Sequence, residues 1–159
     1  MKINIILTGE KTEESKDVVT TLNNAGIKNG DNYLSGFSVG ADISTIKTKI
    51  KNSNSNAIVK LRANNGTDKE SGIIATGDKV TVTVDGDTKE YEVVIYGDAS
   101  GDGKVSAVDY VRIKNNIMGT STLSGSYKEA ADVDKNGKVS AVDYVKIKNK
   151  IMGTGSISQ

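Results

Sequence analysis

A stretch of 22 residues occurs twice near the end of this chain. Asp98 to Gly119 reads DASGDGKVSAVDYVRIKNNIMG, and 34 residues later Asp132 to Gly153 reads DVDKNGKVSAVDYVKIKNKIMG, with 16 of the 22 positions identical. A duplication on this scale constrains the fold, because each copy is one supersecondary unit and the two must bury their apolar sides together. The period is close to that of a tetratricopeptide array, but two copies are too few and the loops too Gly-rich for one. The intervening Thr120 to Ala131 starts as a Ser/Thr/Gly linker and ends in SYKEAA, enough for one helical turn.

Each copy opens with twelve residues whose oxygen-bearing groups fall at fixed intervals. In the first, Asp98, Ser100, Asp102, Ser106 and Asp109 take positions 1, 3, 5, 9 and 12, with Gly103 at position 6 and the Lys104 carbonyl at position 7. In the second the same places hold Asp132, Asp134, Asn136, Ser140 and Asp143, with Gly137 and the Lys138 carbonyl. This is the ligand spacing of an EF-hand calcium loop, in which alternate residues of a coiling loop point hard oxygens at one ion. Asp and Gly also cluster in ordinary turns, but every oxygen position recurring in both copies argues for ligation. The spacing predicts two calcium ions, one per loop. Three carboxylates in one tight loop repel each other, so each loop is expected to be poorly ordered without its ion. The chain has no His and no Cys, which excludes zinc sites, thiol nucleophiles, Ser-His-Asp triads and disulfides.

Two features depart from a full EF-hand. Position 12 is Asp rather than Glu in both loops, and the first loop is entered by KEYEVVIYG, an alternating strand, rather than by a helix. The repeats are therefore read as half-hands, each a loop followed by one helix. Ser106 with Asp109, and Ser140 with Asp143, are spaced as capping boxes, and Gly119 and Gly153 are helix terminators. At 100° per residue, Tyr110, Ile113 and Ile117 fall on one face and, with Val105, form the expected core stripe. Ala107, Val111 and Met118 lie on the other side, flanked by Val108, Lys114 and Asn115. The second helix repeats this arrangement with Ala141, Val142, Val145, Lys148, Asn149 and Met152. Two short helices can cover each other only once, so the second stripe is expected to be exposed and to form a docking face.

Upstream the pattern changes to short alternating segments. Asn32 to Val39, Ala57 to Arg62, Lys79 to Val84 and Lys89 to Tyr96 read as strands, with Asn64-Asn65-Gly66 and Asp85-Gly86-Asp87 as hairpin turns. Asp42 to Lys51 places Ile43, Ile46 and Ile50 on one helical face. Residues 12–25 read as a further helix, with Val18, Val19 and Leu22 inward and Gly26 ending it. Met1 to Gly9 reads as a strand, its apolar run being too short for a signal peptide and lacking a cleavage site; the chain is expected to be a fragment of something longer. The fold class is α+β. An N-terminal segment (1–26) leads to a small α+β module (27–96), for which a β-sandwich is the alternative, and then to an all-α pair of loop-helix repeats (97–159).

Composition narrows the function. With 21 basic and 20 acidic residues the formal net charge is +1, which removes the electrostatic reason to expect a nucleic-acid or membrane partner. One Phe and no Trp leave little for a sugar-stacking cleft. Glu90, Glu92 and Asp87 fall on a strand and its turn, read as a solvated face rather than a catalytic site.

The duplicated loops and helices without entering partners resemble a type I dockerin, the calcium-dependent module that plugs secreted bacterial proteins into cohesin domains. The resemblance covers about a third of the chain. It implies a non-catalytic module, extracellular or at the cell surface, monomeric when unbound, that joins a multi-enzyme complex through a cohesin. It further implies that Ala107 and Val108, and Ala141 and Val142, contact cohesin, with Lys114, Asn115, Lys148 and Asn149 further along each helix. The small apolar pairs differ from the Ser-Thr pair of some members. Because the two faces are nearly identical, docking in two orientations related by a half-turn is expected. The alternative is an extracellular calcium-binding structural or sensor module with no cohesin partner. The Asn32–Tyr96 region is similar to β-rich modules that precede dockerins in carbohydrate-active or cell-wall enzymes, which implies a parent enzyme upstream.

Overall fold

The computed structural model describes residues 17–159. The strand expected over Met1 to Gly9, and the first residues of the helix expected over 12–25, lie outside the described residues. From Asp17 onward the chain is mixed α and β, with five helices and one five-stranded sheet among the described residues.

The first core is built by two helices on a sheet. Helix α1 (Val18–Asn24) is capped by the Asp17 carboxylate, which accepts from the Thr20 N–H, and buries Val18, Thr21 and Leu22. Val19 is only half-buried. Helix α2 (Ile43–Ser53) is capped in the same way by Asp42, and its buried residues are Ile43, Ile46 and Ile50, the i, i+3, i+7 set read from the sequence. Strands β1 (Lys28–Asn29), β2 (Tyr33–Ser35), β3 (Ile58–Arg62), β4 (Lys79–Val84) and β5 (Asp87–Val93) lie in the order β1-β2-β5-β4-β3. In β4 the alternation is complete: Val80, Val82 and Val84 face the helices, while Thr81 and Thr83 face outward. Residues Asp85 and Gly86 join β4 to β5 with both φ angles positive, at 48° and 91°, the signature of a two-residue primed turn.

Three strand expectations change. The segment Asn32 to Val39 supplies only Tyr33–Ser35, which pairs parallel to β5. The Asn64-Asn65-Gly66 turn does not lead straight into the next strand. The chain first returns along β3, with the Lys69 N–H donating to the Leu61 carbonyl, and reaches β4 only at Lys79. Strand β5 starts two residues early and ends at Val93. The module is one sheet with helices, not a sandwich.

Residues beyond β5 join two cores. Val93 and Ile95 point into the first core, while Val94 and Tyr96 point into a second, formed with Ala99, Ile113, Leu123, Ala130, Ala131, Val133 and Ile147. The period-2 alternation of an extended chain thus serves opposite sides at one segment. The second core is made by helices α3 (Ala107–Ile117), α4 (Gly125–Ala131) and α5 (Ala141–Ile151).

Candidate docking site and its two acidic loops

The two twelve-residue loops have matching internal wiring. In the first, Asp98 Oδ1 accepts from the N–H groups of Gly101 (2.8 Å) and Asp102 (3.0 Å), and Oδ2 accepts from Gly103 (2.9 Å). In the second, Asp132 accepts from Asn136 (3.1 Å) and Gly137 (2.6 Å). The twelfth residue closes each loop. Asp109 accepts from the Ser100 and Ser106 N–H groups, and Asp143 accepts from those of Asp134 and Ser140. The bonds to Ser106 and Ser140 complete the capping boxes of α3 and α5. One carboxylate therefore ties loop to helix in each copy.

The electrostatics set these loops apart from ordinary turns. Asp98, Asp109, Asp132 and Asp143 are all buried, and none of the ion pairs formed among the described residues includes them. Burial pushes the Asp98 carboxyl above the usual carboxylate range, against the pull of the N–H groups of Thr76, Gly103 and Asp102, and the Asp109 charge adds to the rise. Asp132, Asp134 and Asp143 offer carboxylate oxygens all within 4.8 Å of one another. The remaining oxygen groups of the expected set lie nearer the surface. Ser100, Ser106, Asp134 and Ser140 are half-buried, while Asp102, Lys104, Asn136 and Lys138 are exposed. A set of hard oxygens holding several buried like charges fits a divalent cation with oxygen coordination.

Helices α3 and α5 meet through equivalent residues. Ile113 and Ile147 are fully buried. Tyr110 and Tyr144 stack with ring centroids 4.2 Å apart and planes 21° apart, and their hydroxyls hydrogen-bond. Contact between residues at the same place in each repeat puts a local two-fold axis between the helices. Ile117, read as core, is instead exposed, as is its counterpart Ile151. Both are the last residues of their helices, one turn beyond the buried Ile113 and Ile147.

The expected docking stripe is on the outside in both copies. Ala107, Val108, Val111, Lys114 and Met118 are exposed and Asn115 is half-buried; Ala141, Val142, Val145, Lys148, Met152 and Asn149 follow suit. The match is quantitative: Val108 and Val142 are 54% and 51% exposed, and Met118 and Met152 are each 61% exposed. Between the end of α3 and the start of α5 lies an apolar groove of about 300 Å³, lined by Lys114, Ile117, Met118, Ala141 and Tyr144.

Sequence reading missed how the chain end is tied back. The Gln159 side chain accepts from the Tyr96 N–H and donates to the Tyr96 carbonyl, both at 2.9 Å. The Tyr96 hydroxyl donates to Glu129. Burial, then the Glu129 charge, pushes this phenol up to about 12 from 10. The unfolded phenol ionises first, so stability should fall as pH rises from about 10 to about 12. Denaturant titrations at stepped pH should show Tyr96→Phe flattening part of that slope. Tyr33, Tyr91, Tyr110 and Tyr127, shifted the same way, add to the fall, while Lys135, whose ammonium is held below its usual range by burial, works against it.

Among the described residues, no helix is long and apolar enough to cross a membrane. No curated protein matches the chain. A solved structure from Acetivibrio cellulolyticus, the third cohesin ScaC in complex with the ScaB dockerin mutated in its N-terminal helix, contains a chain similar to this one at 31% identity. The likeness covers 41% of the present chain and 92% of that chain, with a TM-score of 0.39. Residues 96–152 match the family model of the dockerin type I domain. The duplicated loops, their capped helices and this match together make the C-terminal part of the chain a type I dockerin domain.

Proposed function

We propose that residues 97–159 are a non-catalytic docking unit that binds a cohesin domain in a calcium-dependent manner. The module at 27–96 would carry the docking unit, with residues 1–26 leading into it, and the chain would work outside the cell in a multi-enzyme assembly. The observation that carries this reading is the pair of outward apolar stripes, matched residue by residue, on helices whose N-termini are tied to buried acidic loops. Family membership supports cohesin as the partner.

In this reading the first ion is held by Asp98, Ser100, Asp102, Ser106, Asp109 and the Lys104 carbonyl. The second is held by Asp132, Asp134, Asn136, Ser140, Asp143 and the Lys138 carbonyl. Calcium would supply the positive charge that lets the carboxylates stay ionised and gathered. The protein's own part is to fix the loop ends to the caps of α3 and α5, so that ordered loops present ordered stripes. Ala107, Val108, Val111, Lys114, Asn115 and Met118 form one stripe. Ala141, Val142, Val145, Lys148, Asn149 and Met152 form the other. Their similar exposure supports docking in either of two orientations.

Calorimetry against a panel of type I cohesins tests the reading. Binding to at least one cohesin is expected in calcium, with affinity falling more than about tenfold in EDTA as α3 and α5 lose their common packing. Heat from calcium alone, with no cohesin bound, would favour a structural or sensor role instead. Equal affinity in EDTA would overturn calcium dependence.

A further inference from the structure

The two loops are alike inside but not outside. Three separate segments of the α+β module grip the first one. Asp98 Oδ2 accepts from the Thr76 N–H at 2.9 Å, the Gly101 carbonyl accepts from Asn64 Nδ2 at 2.9 Å, and the Gly103 carbonyl accepts from the Gly40 N–H at 3.2 Å. The fit leaves no room for side chains. A Cβ on Gly101 would sit 2.8 Å from the Thr76 carbonyl oxygen, from Asn64 Nδ2 and from the Tyr127 ring of α4, and one on Gly103 would sit 2.7 Å from the Ile74 carbonyl oxygen. In the second loop the position of Gly103 is held by Gly137, which is exposed and has open space where a Cβ would point. The position of Gly101 is held by Lys135, which has the same left-handed backbone at φ 61° and lays its ammonium over the Tyr96 ring. This loop geometry therefore accepts lysine. Gly101 is needed not by the loop but by the surface the loop rests on.

We infer that the α+β module is a brace for the first loop: it holds that loop and the start of α3 in shape without an ion, while the second loop depends on the ion for its order. The ion-linked half of this inference rests on reading the loops as calcium sites. Bonds from Thr76, Asn64 and Gly40 persist whatever occupies the loop, so ordering the first loop costs less conformational entropy on binding. The second loop has no equivalent set of bonds among the described residues. The expectation that both loops lose order together, drawn from charge repulsion alone, thus gives way to an unequal pair.

Hydrogen exchange of the Gly103 and Gly137 amides in the full chain reads each loop separately, because each amide donates to the first carboxylate of its own loop. In EDTA, Gly137 is expected to exchange at least about tenfold faster than Gly103, and calcium should slow Gly137 far more than Gly103. Gly101→Lys, which installs the residue the second loop already tolerates, should make Gly103 exchange as fast as Gly137. Asn64→Ala, outside the loop, should move Gly103 part of the way, and it carries the test if the lysine variant does not fold. Equal exchange of the two amides in EDTA in the natural chain overturns the brace, as does a Gly103 rate unchanged in both variants. Should calcium alter neither amide, the calcium reading falls, and the Gly103–Gly137 difference still decides the brace.

Discussion

Charging one docking stripe, with Ala107→Asp and Val108→Asp together, is expected to weaken cohesin binding by only about twofold, whereas charging both stripes abolishes it. The asymmetry follows from counting. If two equivalent orientations contribute to one association constant, losing one halves it, a change of ~0.4 kcal/mol. Adding Ala141→Asp and Val142→Asp leaves no orientation in which the contact stays apolar. Burying even one carboxylate without a partner costs several kcal/mol, so a loss of more than about a hundredfold is expected. The four positions are solvent-exposed, so the substitutions should leave stability nearly unchanged. Calorimetry on the two variants, alongside thermal unfolding, separates docking from folding. A hundredfold loss from the first pair alone would mean that one stripe does the docking and that the two-orientation reading is wrong.

The features legible in the sequence were those whose physics is local. The helix α2 register of Ile43, Ile46 and Ile50, the caps Ser106 and Ser140, and the Asp85–Gly86 turn each depend on residues within a few positions. The regular oxygen spacing of the two loops is local in the same sense. What escaped reading depends on distant partners. Strand β2 is three residues long and exists because β5, more than fifty residues later, offers it a parallel edge. The ladder of β5 stops at Val93, although the alternation runs on to Tyr96. Val94 and Tyr96 are drawn into a second core that no local pattern announces. Ile117 has the period of a core residue, but it is the last residue of α3 and is left exposed. Gly101 stands opposite Lys135 within the one run of four consecutive differences between the copies, residues 99–102 against 133–136, so nothing in the repeat itself singled it out.

A second large effect is expected away from the loops, at the carboxylate that shapes the bracing surface. Asp78 is 1% exposed. It accepts from Lys69 Nζ at 2.6 Å, from the Ala75 N–H at 2.9 Å and from the Asn64 N–H at 3.1 Å. It thereby fixes both Asn64 and the residues beside Thr76, the two places that hold the first loop most directly. Asp78→Ala strands the Lys69 ammonium, whose side chain is only 20% exposed, and two backbone donors. Breaking a buried pair in this way costs about 3–5 kcal/mol, and the partial exposure of Lys69 places this one near 3. In a chain of this size that lowers the thermal midpoint by roughly 6–12 °C. Asp78→Asn keeps an acceptor for the backbone and should lose less than half as much. Asp68→Ala, which removes the exposed partner of Arg62, should change stability by less than about 0.5 kcal/mol. Because the lost bonds lie under the first loop, Asp78→Ala should also speed Gly103 exchange while leaving Gly137 alone. A midpoint within a degree of the natural chain would show that Asp78 does not hold this surface together.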